Sequence, residues 1–328
     1  MTESAMTKHY ISCLVLLSLL LGCTPQPSVA LQQQRLTEYP VLAASISAET
    51  LVVIDTSGLR QFDLQGKRQA EQGLPDADGS YQLSASAQQY LAYDRHNLYF
   101  WHSQQQRVSD HWQLNDTVIL AQLANDQVVV ATENQQLLWL QQAEVSQRQS
   151  LSSTATSIHY WPSQQAWLVT TRAGELLLFS QDGSAQLQHW QWRTGVIVAS
   201  AFSNEYGLLS YADLASNPFS QSNTAWLMLH WQNHDWQPQP LPPTNVEGFS
   251  AIPLSLPQQQ PQWLVAGPRR SLYVVNAETR YTLHEGAENS GLYAALADHG
   301  DELLAVTSHG YLQRWQKGDI VKRLSAQH

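Results

Sequence analysis

The chain has 328 residues and only two cysteines, Cys13 and Cys23, both in its first stretch. Beyond Cys23 there is therefore no thiol for a disulfide, a thiol redox centre or a zinc-thiolate site. Charge is scarce as well: 13% of residues are Asp, Glu, Lys or Arg, about half the usual share. What charge there is leans negative, to a formal net charge of −10. No cluster of Lys and Arg stands ready to displace counterions from a phosphate backbone, which argues against a nucleic-acid partner. Also missing are a Gly-x-Ser-x-Gly elbow, a Walker loop and a dinucleotide fingerprint. After the first two dozen residues there is no apolar run long enough to cross a bilayer. Gln and Ser take over the polar surface, and twelve Trp residues supply apolar bulk.

The one long apolar run extends from Tyr10 to Leu21, preceded by Lys8 and His9 and followed by Gly22-Cys23-Thr24-Pro25. It is short for a membrane span and has the make-up of a signal-peptide core. Leu20-Leu21-Gly22-Cys23 resembles the lipobox of bacterial lipoproteins. The resemblance implies cleavage after Gly22, a diacylglycerol thioether and further acylation at Cys23, and anchoring in the lipid bilayer. Thr24 stands where Asp would signal inner-membrane retention, so the resemblance implies the outer membrane, facing the periplasm. Two or more acyl chains anchor stably without a transmembrane helix. The expected organisation is a signal peptide at 1–22, a lipidated and flexible tether at 23–35, and one folded domain at 36–328.

That domain reads as all-β. Short apolar runs are broken by Gly, Asn, Asp, Ser and Gln, with no sustained helical period. A hairpin recurs whose second strand carries a large residue: Phe62, Trp101, Trp139, Phe179, Trp231, Val275 and Trp315, spaced by 39, 38, 40, 52, 44 and 40 residues. A period near forty with room for four strands per unit predicts a single β-propeller of about seven four-stranded antiparallel blades. Outer strands are expected at Ala185–Trp192 and Ile320–Leu324. The last blade could be completed by the latter or by Gln34–Tyr39.

Gly310 to Leu324 and Gly58 to Lys67 resemble the third and fourth strands of WD40 repeats. Ser271 to Thr279 is similar to quinoprotein-like propellers, including the BamB-type outer-membrane scaffold lipoproteins. The Gly-His dipeptide of WD40 repeats is absent, Asp follows the strand-end aromatic only at Phe62, and seven units fall short of the BamB-type eight. The resemblance implies the fold and not a partner.

Propeller enzymes place ligands and catalytic carboxylates at the axis, on the innermost strands. These are expected at Val41–Ile46, Tyr81–Ser86, Val118–Ala124, Ser157–Trp161, Val196–Phe202, Val246–Ile252 and Gly291–Ala297. Only Glu247 and His159 are ionisable within them, too few for a calcium or zinc site. His230 and His234 lie on a strand end and turn, where four-residue spacing does not bring side chains together. No cofactor, metal or catalytic residue is expected, which disfavours a propeller hydrolase or lactonase. Trp101, Trp139, Trp231 and Trp315 are expected in the core. Trp112, Trp190, Trp192 and Trp236, on outer strands, either pack on neighbouring blades or line a groove for a glycan or other small ligand. One irregularity remains, the 52-residue interval, produced by an insertion from Ala212 to Asn223. Asn217, Pro218 and Phe219 form its candidate partner-binding element. The expected function is that of a membrane-anchored scaffold for an envelope protein.

Overall fold

The computed structural model describes residues 31–75, 81–86, 89–124, 126–212, 224–240, 248–256, 261–267, 270–278, 280–286 and 291–325. The lipobox and Cys23 lie outside these residues, as do Glu247, Asn217, Pro218 and Phe219.

Seven four-stranded antiparallel sheets form the molecule. Blade 1 comprises β2 (Val41–Ile46), β3 (Thr50–Asp55), β4 (Gly58–Asp63) and β5 (Arg68–Gln72). Blade 2 runs from β6 (Gln82–Ala85) to β9 (Arg107–Gln113), and blade 3 from β10 (Val118–Ala124) to β13 (Glu144–Ser150). Blade 4 runs from β14 (Ala155–Trp161) to β17 (Gln186–Trp190). Blade 5 consists of β18 (Val196–Phe202), β19 (Tyr206–Ala212), β20 (Thr224–Gln232) and β21 (Asp235–Pro240). Blade 6 runs from β22 (Ser250–Leu254) through β23 (Gln262–Ala266) and β24 (Leu272–Val275) to β25 (Arg280–His284). Blade 7 takes β26 (Tyr293–His299), β27 (Glu302–Thr307) and β28 (Tyr311–Gln316) from one end of the chain and β1 (Leu31–Arg35) from the other. The first strand of each blade lines the axis, and β2 neighbours β26, so the ring closes.

Each blade buries its middle strands on both faces, which is why those strands read as unbroken apolar runs: Leu51 to Ile54, Val128 to Ala131 and Leu303 to Val306 are all at most 1% exposed. The core is a set of inter-blade clusters. Trp101, for example, packs with Val52, Ile54 and Leu59 of blade 1, and its indole N–H donates to Gln61 Oε1 at 2.7 Å. Most outer strands carry exposed polar and charged residues, as in β13, and such edges resist pairing with other chains.

Three expectations are corrected. First, the propeller begins at Leu31 rather than at 36. Leu31–Arg35, assigned above to the tether, pairs with β28 from Leu31↔Trp315 to Arg35↔Tyr311. Second, Ile320–Leu324 is not an outer strand but part of helix α1 (Lys317–Ser325), whose Ile320 and Leu324 pack into the cluster between blades 6 and 7. Their i, i+4 spacing puts both on one helical face. Third, Trp139 is core but not the equivalent of Phe62. A bulge precedes Phe62, Trp101, Leu140 and Phe179 alike, so Leu140 holds the repeated position. It packs on blade 2, while Trp139 packs on blade 4. One residue of phase moves a side chain to the opposite face of a sheet.

The closure is pinned by polar groups. Tyr293 Oη donates to Gln313 Oε1 at 3.0 Å, and Gln313 Nε2 to Gln33 Oε1 at 3.1 Å, linking β26, β28 and β1. Past β1, the Thr37 hydroxyl donates to Asp55 Oδ2 at 2.6 Å and accepts from Arg60 Nη1 at 2.6 Å. Asp55, fully buried, also pairs with Arg60 at 2.5 Å and accepts from the backbone N–H and hydroxyl of Ser57. Gly310 turns at φ +81°, and a Cβ there would lie 2.6 Å from the Thr37 carbonyl oxygen.

Candidate functional site

The inner strands all run the same way along the axis, giving the ring an upper face, where they begin, and a lower face, where they end. Turns between second and third strands lie on the upper face. β19 and β20 reach that face at the pair Ala212↔Thr224.

On the upper face three large apolar side chains stand exposed just before the inner strands of consecutive blades: Phe249 (50%) before β22, Leu292 (49%) before β26 and Tyr39 (48%) before β2. Each lies in anchored backbone. Phe249 N–H donates to Ala266 O at 2.8 Å, Leu292 O accepts from Ser308 N–H at 2.8 Å, and Tyr39 N–H donates to the Thr37 hydroxyl at 3.2 Å. The Arg60 guanidinium lies 5.5 Å from the centre of the Tyr39 ring. Inner strands spanning Val246–Ile252 and Gly291–Ala297 would place Phe249 and Leu292 inside the sheet; the strands start at Ser250 and Tyr293 instead. Also on this face is a cleft of about 310 Å³ between blades 2 and 3, lined by Tyr93, Asp94, Arg95 and Glu133 among others, with Arg95 and Glu133 paired at 3.3 Å.

The lower mouth of the channel contains a cavity of about 300 Å³, lined by Ser86, Gln122, His159, Tyr160 and Phe202 and by Ala85, Leu123 and Ala124. His159, the ionisable residue that the inner-strand reading singled out, contacts Ser200 Oγ through Nε2 at 2.8 Å and meets the Phe202 ring edge-on at 5.1 Å. Burial lowers its pKa to about 4, which keeps the imidazole neutral near pH 7. Ser200 in turn meets Ser157 at 2.7 Å, Ser157 meets Thr170 at 2.6 Å, and Thr170 meets Thr156 at 2.8 Å. Sequence reasoning missed Asp298, which lies just past the inner strand expected to end at Ala297 and inside the observed β26. It pairs with Lys317 of α1 and accepts from Ser255 N–H at 2.6 Å, so its role is to hold the helix against blades 6 and 7.

Among the described residues no three His, Cys, Asp or Glu side chains converge as a metal site would require. Nor is any helix among them long and apolar enough to cross a membrane. His230 stacks on Tyr206 at 4.4 Å, while His234 sits in the β20–β21 turn. Of the four outer-strand tryptophans, Trp236 is buried and Trp112 leans on Phe100 at 4.2 Å. Trp190 and Trp192 are half-buried and stacked at 6.3 Å, and both pack on the cluster between blades 4 and 5. Trp101, Trp139 and Trp315 are buried and Trp231 is half-buried in that same cluster.

No protein-family model matches the chain, and no curated protein does either. Solved structures do match. The Cps50 (Swd1) β-propeller domain of Myceliophteria thermophila aligns with TM-score 0.67 at 13% identity, over 87% of this chain and 99% of that one. The Pan2 WD40 domain of Neurospora crassa aligns with TM-score 0.65 at 12% identity, over 85% and 89%. BBS1N, solved in complex with ARL6DN, aligns with TM-score 0.64 at 14% identity, over 88% and 95%. Identities this low speak to fold alone, and with the seven four-stranded sheets they make that fold a WD40-type seven-bladed β-propeller.

Proposed function

We propose that this chain is a lipid-anchored scaffold of the bacterial cell envelope, held in the outer membrane through Cys23, which binds an envelope protein with its upper face and catalyses no reaction. The observation that carries the reading is the exposure of Phe249, Leu292 and Tyr39 within two residues of the start of the inner strands of blades 6, 7 and 1. Exposed apolar side chains grouped on rigid backbone are a usual mark of a protein interface. The anchor rests on the lipobox resemblance of Leu20-Leu21-Gly22-Cys23. β1 enters blade 7 at the lower end, beside the start of α1, and the chain from Cys23 to Leu31 spans at most about 30 Å. A bilayer holding Cys23 would lie within about that distance of the lower end. The finer comparison with BamB-type scaffolds rests on the stretch beginning at Ser271, which supplies β24, the third strand of blade 6.

The test is crosslinking in intact cells with wild-type protein, a Cys23→Ser variant and a Tyr39→Ser/Phe249→Ser/Leu292→Ser variant. The expected result is one recurrent protein adduct that the triple variant loses while staying folded, and release from membranes for Cys23→Ser. Unchanged adducts in the triple variant would overturn the interface, and unchanged partitioning and maturation of Cys23→Ser would overturn the anchor.

A further inference from the structure

The lower mouth of the channel has features that protein docking on the upper face does not use. Its cavity is walled by four different inner strands, so its shape is fixed by the ring rather than by a loop. Among the described residues, no lining side chain carries a formal charge at neutral pH: His159 and the Tyr160 phenol are the ionisable ones, and burial holds the imidazole neutral. An ionic ligand would have to leave water without a counter-charge, which is costly. A purely apolar ligand would cover the Gln122 carbonyl oxygen and second amide hydrogen and the Ser86 lone pairs without pairing them, which is costly too.

What remains is a neutral molecule with many hydrogen-bonding groups and some apolar surface. Gln122 Nε2 donates to Leu123 O at 3.4 Å and Ser86 Oγ to Gln89 O at 3.4 Å, which leaves a ligand the second amide hydrogen and the carbonyl oxygen of Gln122 and the lone pairs of Ser86. Tyr160, tilted against Trp167 at 5.0 Å, and Phe202, against Trp236 at 5.9 Å, also line the cavity and add some apolar contact area to a largely polar wall. The chain of hydroxyls from Ser200 through Ser157 to Thr170 holds His159 from behind, fixing the ring in place. A volume of about 300 Å³ is at the small end for ligand sites. We infer that the lower channel mouth is a binding site for a neutral saccharide of one or two rings, formed by Gln122, Ser86, His159, Tyr160 and Phe202.

Isothermal titration of the folded chain with glucose, galactose, N-acetylglucosamine and maltose, with glucuronate as the anionic comparison, tests this. At least one neutral sugar should bind at a single site with a millimolar or tighter dissociation constant, and glucuronate should bind more weakly than glucose. Gln122→Ala, on a half-buried side chain whose loss leaves the strand pairing untouched, should weaken the best sugar by about five- to tenfold, the worth of one or two hydrogen bonds. Ser86→Ala should weaken it less. Absence of binding by all four neutral sugars, tighter binding of glucuronate, or unchanged affinity in Gln122→Ala would each overturn the assignment. Since the upper-face variant leaves this cavity intact, its sugar affinity should equal that of the wild type, which separates the two sites.

Discussion

Replacing Asp55 by Ala removes the centre of the closure latch. The carboxylate is fully buried and accepts four hydrogen bonds, from Thr37, Arg60, and the N–H and hydroxyl of Ser57. Its loss leaves the Arg60 guanidinium, whose side chain is 9% exposed, without its close partner. Breaking one half of a buried pair costs about 3–5 kcal/mol. Glu71, at 3.4 Å from Arg60 and partly exposed, takes up some of the charge, which places the expected loss near the lower end, about 3 kcal/mol. For a folded domain of this size that corresponds to a fall of roughly 5 °C in Tm. Urea unfolding followed by Trp fluorescence and by far-UV circular dichroism measures it, with coincident curves as the two-state check. The Asp55→Ala/Arg60→Met double variant should lose less than the sum of the two single changes, because it removes the stranded charge. A single-variant loss below about 1 kcal/mol, or strict additivity, would refute the account of a coupled, buried pair.

Three further outcomes are expected. Gly310→Ala, which sets a Cβ against the Thr37 carbonyl at a left-handed φ, should cost about 2 kcal/mol or more in the same unfolding assay. Deleting Leu31–Arg35 should expose the β28 edge, seen as faster limited proteolysis in blade 7 and as concentration-dependent association in gel filtration. His159 has a folded pKa of about 4, below its ordinary 6.5. The unfolded chain therefore binds more protons between those values, so stability is full above about pH 6.5 and declines as the pH falls towards 4, by up to roughly 3 kcal/mol. His159→Gln should flatten that part of the pH–stability curve, and an unchanged slope would show that other groups cause it.

The blade count is legible because the middle strands of each blade must be apolar on both faces, and such runs with their turns recur at a nearly constant interval. Register is less legible. Phe249 and Leu292 are exposed, yet hydrophobicity alone cannot tell an exposed apolar side chain from a buried one, so a sequence reading starts the inner strands of blades 6 and 7 too early. Trp139 misleads by size: the bulge before Leu140, which sets the phase, leaves no mark in composition. β1 reads as linker because Leu-Gln-Gln-Gln-Arg is polar and its partner strand lies at the other end of the chain. For Ile320 and Leu324 a short apolar segment suits strand or helix equally. His159 stands out as a lone ionisable residue in an inner strand, whereas its contact with Ser200 is made between blades and has no local signature.

Pairing β1 with β28 also orders events in time. The first strand of the propeller to be made must wait for the last, and until β28 appears, the backbone groups of β1 have no ladder to join. Such non-local pairing carries a large loop-closure cost before any contact repays it, and slows folding. A chain interrupted before blade 7 would hold six blades with no seam to close. The joint would also bear any pull applied from the N-terminal side, since tension arriving at Leu31 acts first on its pairing with Trp315, beside the helix that seals the lower rim.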